Sequence, residues 1–383
     1  MNQAPLNGIK VVEIAGLGPA PCTGMMLADM GAEVILVERK TTNENVAQLG
    51  GGGNAYIFNR GKQSIAVDLK KPEGIQLVLK LVEQADVFIE GFRPGVMERL
   101  GLGPDVCQAV NEKLIYGRMT GWGQTGPLAQ SAGHDPNYIG LSGALWYGGS
   151  EGMPPRAPMT LVGDLGGGTM MLAWGILCAF IDVQRTGKGR IIDAAITDGS
   201  AYISSLLWAM YNGGQLTDKL GSSWADGGTP WSDTYQCRDG KYVNVCALEP
   251  QFYAEFINLM GLADNPMFSA QWNKKSWPEA KTELAALFKT KTREQWCDLL
   301  EGSDACFAPV LNFSEAPLHP HNVARETFYE IEGVVQPAPA PKLSGYKPKK
   351  SVPPLCGQQT DTIVESLGMS EDEISRLKNL GVI

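Results

Sequence analysis

Histidine is nearly absent from this chain: there are three in 383 residues, at positions 134, 319 and 321. The eight cysteines are dispersed and form no CxxC pair, so the usual zinc-ligand spacings are missing. Reduced, mostly buried thiols in a cytoplasmic protein are the preferred reading. Positive charge is also short. Thirty-two Lys and Arg against 41 Asp and Glu give a net charge of −9, which argues against general binding to nucleic acid or anionic membranes. The start, Met1-Asn2-Gln3-Ala4-Pro5, has no basic region followed by an apolar one, so no secretory signal is read there. No uninterrupted apolar run reaches membrane-spanning length. What remains is an ordinary globular composition, 44% hydrophobic with a mean hydropathy of −0.11. The length exceeds what one core usually fills, so two domains are expected.

The first half alternates strand and helix patterns. Ile9–Ile14 and Ala32–Glu38 are β-branched runs separated by a turn, Gly16–Pro21, and a helix, Cys22–Met30. Strands over Ser64–Val67, Val87–Ile89 and Leu114–Arg118 follow, with a helix over Pro72–Gln84 and a buried one over Met170–Val183. Such alternation predicts an α/β domain with a Rossmann-like, doubly wound parallel sheet. The predicted division is a large domain over 1–210, a Gly- and Ser-rich linker over 211–230 and a small α+β domain over 231–325. Residues 326–383 form a return segment whose C-terminal helix packs on the large domain. Gln336–Pro341 reads as a stiff connector rather than an element.

Two sequence features carry chemistry. His134 stands in Gly133-His134-Asp135-Pro136-Asn137-Tyr138, and Asp164 follows thirty positions later in a glycine-rich run. Imidazole and carboxyl groups can each carry a proton near neutrality, so on opposite faces of a substrate the two could invert a stereocentre. Asp164 could also cap the helix behind it, and Asp135 could orient His134 or simply form the turn. Gly16-Leu17-Gly18-Pro19-Ala20-Pro21 with Glu38 imitates a dinucleotide fingerprint. Pro21 at the third glycine position and Arg39 beside Glu38 oppose that reading. Arg39, Arg93 and Arg99 fall at predicted strand ends with Lys62 nearby, a pattern suited to a phosphorylated nucleotide. Trp122, Trp146, Tyr147, Met170, Met171 and Trp208 could line an apolar pocket, with ordinary core the better reading for most. His319 and His321 read as packing or capping residues at the domain junction.

These segments together resemble the family III CoA-transferase superfamily, in its α-methylacyl-CoA racemase branch. The likeness runs through Leu6–Glu13, Leu27–Val34, Asn59–Lys62, Arg93–Val96, the His134 and Asp164 runs, Asp226–Gly228, Leu248–Tyr253 and His319–Asn322. It implies epimerisation of a 2-methylacyl-CoA thioester by a proton pair, with no metal or redox cofactor. It also implies a homodimer of intertwined chains. His134 and Asp164 match the proton-transferring pair, and Glu249 matches an acid that supports the histidine. Arg39, Asn59, Lys62, Arg93, Arg99, Gly133, Asp135, Asn137 and Tyr138 fall where the family contacts CoA. The alternative within the superfamily is a CoA-transferase in which the aspartate attacks the thioester. A CoA-ester-binding protein without turnover is a third option, opposed by the intact pair.

Overall fold

The computed structural model describes residues 4–40, 53–150 and 152–383. The chain folds into two compact units. The first comprises Met1–Ser142, Pro158–Ile203 and Glu326–Ile383, the second Gly143–Ala157 and Ser204–Arg325.

Six parallel strands form the main sheet of the first unit: β1 (Lys10–Ile14), β2 (Glu33–Glu38), β3 (Gln63–Ala66), β4 (Val87–Glu90), β5 (Ile115–Thr120) and β6 (Ile191–Ala195). Their order is β3-β2-β1-β4-β5-β6, with parallel register throughout. This order reverses between β1 and β4, as in doubly wound folds. Alternate residues of each strand serve opposite faces of the sheet. Val12, Ile14, Phe88 and Tyr116 join α2 (Pro72–Glu83) and the C-terminal helices in one core. Val11, Ile89 and Ile115 join α1 (Pro19–Asp29) and the long apolar helix Met170–Thr186 in the other. Both faces are therefore covered, which explains why the strands read as nearly continuous apolar runs.

Three local expectations change. The first helix starts at Pro19 rather than Cys22, because proline at the first helical position lacks only an N–H that would be unpaired there anyway. Part of the expected connector is a strand: Val334–Pro337 pairs antiparallel with Phe328–Ile331. The helical segment Leu161–Thr186 runs unbroken for 26 residues, with a window of mean hydropathy 1.5. By length and composition alone it could cross a membrane, contrary to the sequence expectation. Leu172, Ala173, Ile176 and Ala179 of this helix are buried against the unit's own sheet, as in a core helix.

The return segment closes the sheet edge. Gln359 Oε1 accepts the Ser64 N–H (2.8 Å), and Thr360 Oγ1 accepts that of Ala66 (3.1 Å), so β3 presents those groups to the chain itself rather than to another strand.

In the second unit, an antiparallel sheet of Ser232–Gln236, Tyr242–Cys246 and Phe307–Val310 carries helices Pro250–Leu259, Trp277–Phe288 and Arg293–Leu300. Trp231, Phe256, Phe288 and Trp296 fill its core. This unit also takes in 143–157 and 204–230, so its bounds differ from the sequence division. The expected linker contains a built turn, Trp224–Asp226, with a capping box formed by Ser223 and Asp226.

Phe88, fully buried between β1 and β5, tests the first core. Phe88→Ala is expected to cost about 3–5 kcal/mol, read in urea as an earlier unfolding transition of that unit.

Candidate functional site

The loop after β5 presents His134 as the residue that opens helix α3 (Asp135–Ser142). Asn137 Oδ1 accepts the His134 N–H (3.0 Å), and the His134 carbonyl accepts the N–H groups of Asn137 (2.8 Å) and Tyr138 (3.3 Å). The Tyr138 hydroxyl donates to the Gly133 carbonyl, and its ring meets Trp122 edge-on at 4.7 Å. A Cβ at Gly133 would lie 2.8 Å from that tyrosine ring, so the glycine is a packing requirement. These bonds fix the backbone of His134 while its side chain stays exposed.

Asp164 sits in a π-helical segment, Leu161–Thr169, that leads directly into the apolar helix Met170–Thr186. Thr160, just before it, has a φ of 69°, a left-handed conformation that a threonine rarely adopts. Wide turns and strain of this kind concentrate at functional positions. Asp135 holds the segment in place: its buried Oδ1 accepts the Asp164 N–H at 2.9 Å. Gly163 makes room for this bond, since a Cβ there would lie 2.0 Å from Asp135 Oδ1. The other glycines of this run admit neighbouring parts of the fold. Gly167 packs on Ser200 and the Ile196 carbonyl, and Gly168 on Pro19 and Ile196.

The carboxyl of Asp164 lies over the turn after β1, with Oδ2 3.7 Å from where a Gly18 Cβ would stand. Burial pushes this carboxyl up to about 6, the negative charge of Asp135 adds to the rise, and His134 opposes it. His134 and Asp164 are thus electrostatically coupled, and both stand among loops at the carboxyl ends of the strands. Gly16–Gly18 follows β1, Arg93 follows β4 and His134 follows β5. The strand order reverses between β1 and β4, where doubly wound sheets open a binding crevice.

The expected CoA contacts divide into two groups. Arg39, Arg93 and Arg99 are exposed in loops or short helices beyond β2 and β4. Lys62 is a correction. Its side chain is fully buried, with Nζ bonded to Glu13 Oε1 (2.7 Å), the Pro21 carbonyl (3.0 Å) and Asn59 Oδ1 (3.2 Å). A lysine and an asparagine oxygen committed in this way are not free phosphate contacts. Asp135 and Tyr138 are likewise buried and bonded inward, and Asn137 spends its oxygen on the loop.

Two basic residues were missed. Lys70 is exposed beyond β3, which pairs with β2, the strand that ends one residue before Arg39. Its signal was the strand-end rule already used for the other cations. Arg118 on β5 is buried and ties Glu90 (3.0 Å) to Glu98 (2.8 Å), bracing the turn that carries Arg93 and Arg99. Glu38 accepts the Ser64 hydroxyl at 2.5 Å, which commits an oxygen that a dinucleotide ribose would need.

Glu249 belongs to the second unit, where it precedes helix Pro250–Leu259. His319, which opens the short helix Pro320–Ala324, places Nε2 2.9 Å from Glu301 Oε1 within that unit. Trp146, Tyr147 and Trp208 line a second-unit cavity of about 270 Å³ together with Leu207 and Tyr211. Trp146, Trp208 and Met170 are exposed, contrary to the core reading.

The raised Asp164 carboxyl has a stability signature. Between its ordinary value of 3.8 and about 6 the folded state holds more protons than the unfolded, so this group's contribution falls as pH rises through that window. Asp164→Asn removes the effect. The melting temperature of the variant relative to the parent is therefore expected to climb from pH 4 to pH 7, and a flat difference would contradict it.

Comparison with known proteins bears on the family and the fold. The model of CoA-transferase family III matches residues 6–360. The chain is 42% identical to the human protein named alpha-methylacyl-CoA racemase, over 99% of this chain and 97% of that one. It is 31% identical to human succinyl-CoA:glutarate CoA-transferase, over 100% of this chain and 90% of the other. A crystal structure of a CAIB/BAIF family protein from Brucella suis superposes with a TM-score of 0.81 at 26% identity, covering 95% of this chain and 99% of that one. A chain with this sheet, these loops and a family match over nearly its whole length belongs to CoA-transferase family III.

Proposed function

We propose that this protein epimerises 2-methylacyl-CoA thioesters by moving one proton off, and another onto, the carbon beside the thioester carbonyl. The observation that carries this reading is the bond from the Asp164 N–H to Asp135, which ties the partly buried Asp164 carboxyl to the loop bearing the exposed His134 imidazole; burial raises that carboxyl to about 6. The racemase named among the relatives supports the substrate class.

In one direction neutral His134 removes the α-proton and protonated Asp164 delivers a proton to the opposite face of the enolate. The pair is left as imidazolium and carboxylate, the state required for the reverse direction. Both states hold one proton between two groups, so their balance depends on how closely the two affinities match. An ordinary aspartate titrates at about 3.9 and is ionised near neutrality, so it could not act as the proton donor there. Raising Asp164 to about 6 lets the carboxyl keep a proton closer to neutrality, so it can donate to one enolate face and, once ionised, accept from the other epimer. Arg39, Arg93, Arg99 and Lys70 are the proposed phosphate contacts, and thioester CoA is substrate rather than cofactor. Glu249 is proposed to support His134.

The working form is proposed to be a homodimer. Met170, Trp174, Leu177 and Ile181, exposed by 49%, 66%, 42% and 63%, line one side of their helix at near-helical spacing. An apolar stripe of this length calls for a cover. Unpaired thiols throughout suit a cytoplasmic setting.

Incubation of each epimer of a 2-methylacyl-CoA in deuterated water tests the chemistry. Loss of the 2-hydrogen with epimerisation, and no requirement for an acceptor acid, is expected. Transfer of CoA onto a free carboxylate, with release of the 2-methyl acid and no deuterium uptake, would establish the CoA-transferase alternative instead. His134→Ala should slow removal of the proton from one epimer by roughly 10²–10⁴-fold. Asp135→Asn removes the charge that helps raise Asp164, so the low-pH limb of the rate profile should move to lower pH.

A further inference from the structure

The first turn of α1 touches two structures at once. On one side lies a fully buried ion pair: Glu13, on the α1-facing side of β1, and Lys62, with neither side chain exposed at all. Lys62 Nζ donates to the Pro21 carbonyl within that turn. Gly24, one turn further along α1, has no room for a side chain, since a Cβ there would lie 1.7 Å from Glu13 Oε2. On the other side lies the π-helical segment that carries Asp164. The buried Thr169 hydroxyl donates to the Pro19 carbonyl (3.0 Å), and Thr23 Oγ1 lies within bonding distance of the carbonyls of Pro19 (3.0 Å) and Thr169 (3.3 Å). Gly18, immediately before the turn, lies against the Asp164 carboxyl.

Stability alone gives little reason for such a pair. Desolvating two charges costs as much as their attraction returns, and apolar residues of similar volume often hold a core equally well. Glu13 Oε2 has no partner, which adds to the cost. A rigid, directional contact with one carbonyl is something an apolar pair cannot supply.

We propose that Glu13 and Lys62 are positioning residues for Asp164: the pair fixes the first turn of α1, and that turn fixes the segment bearing the Asp164 carboxyl. The inference builds on the proton-transfer reading above. Neither residue touches the substrate, and their effect reaches the reaction only through the Pro19–Pro21 turn.

The test is a cycle of Lys62→Met, Glu13→Gln and the double variant, read by melting temperature and by kcat and KM for deuterium exchange. Each single change leaves one buried group unmatched and should lower the melting temperature. The double variant removes both charges and should recover much of it. A purely structural pair would recover kcat along with stability. The positioning role predicts that the folded double variant keeps its KM within about threefold while kcat stays roughly 10- to 100-fold down. Wild-type kcat in that variant would overturn the proposal. Thr169→Val, a near-isosteric and uncharged change, breaks the other strap of the same turn. It should give the same kcat-selective loss, and an unchanged kcat would remove the link the proposal requires. Failure of the underlying reading looks different: the parent protein would not exchange the 2-hydrogen at all.

Discussion

One hydrogen bond joins the two halves of the site. The buried Asp135 carboxylate accepts the backbone N–H of Asp164, and thereby ties the loop after β5 to the π-helical segment thirty residues downstream. His134, one residue before Asp135, is placed by the same loop. A carboxylate in this position does two things. It sets the distance between the proton carriers through the backbone, and its charge makes Asp164 harder to ionise. Gly163 is the residue that permits the approach. Remove that contact, and neither the geometry nor the proton balance of the pair is specified.

The remainder of the first unit supports this junction from below. The sheet reverses its strand order between β1 and β4, so the loops at their carboxyl ends diverge and leave space for a ligand. Buried ion pairs hold the elements around that space. Arg118 braces the β4 turn, and Lys62 braces the start of α1. Arg60 joins Asp29 at the end of α1 to Gln336 and Pro337 of the return segment. Exposed arginines then stand outside a framework braced by these pairs.

Much of this was legible in the sequence, for physical reasons that differ by residue. β-branched runs such as Val11–Ile14 announce strands because their pattern is local. His134 is conspicuous because imidazole is rare here, and its turn is written in glycine and proline. Whether a polar side chain faces solvent is not local. Lys62 and Asp135 read as surface contacts in sequence but are buried, because partners 49 and 29 residues away claim them. Pro19 and Pro21 read as a turn and open a helix instead, since the first helical turn needs no N–H from them. The 211–230 stretch looked like a linker from composition, yet its polar residues cap one another within the second unit.

The central claim is that Asp164 holds its proton at a pH where an ordinary aspartate has lost it. A carbon-13 NMR titration of the Asp164 carboxyl, assigned by its absence in Asp164→Asn, tests this directly. The account predicts a midpoint near 6. A midpoint near the ordinary aspartate value of about 3.9 would leave the site without a proton donor at Asp164 and would contradict it.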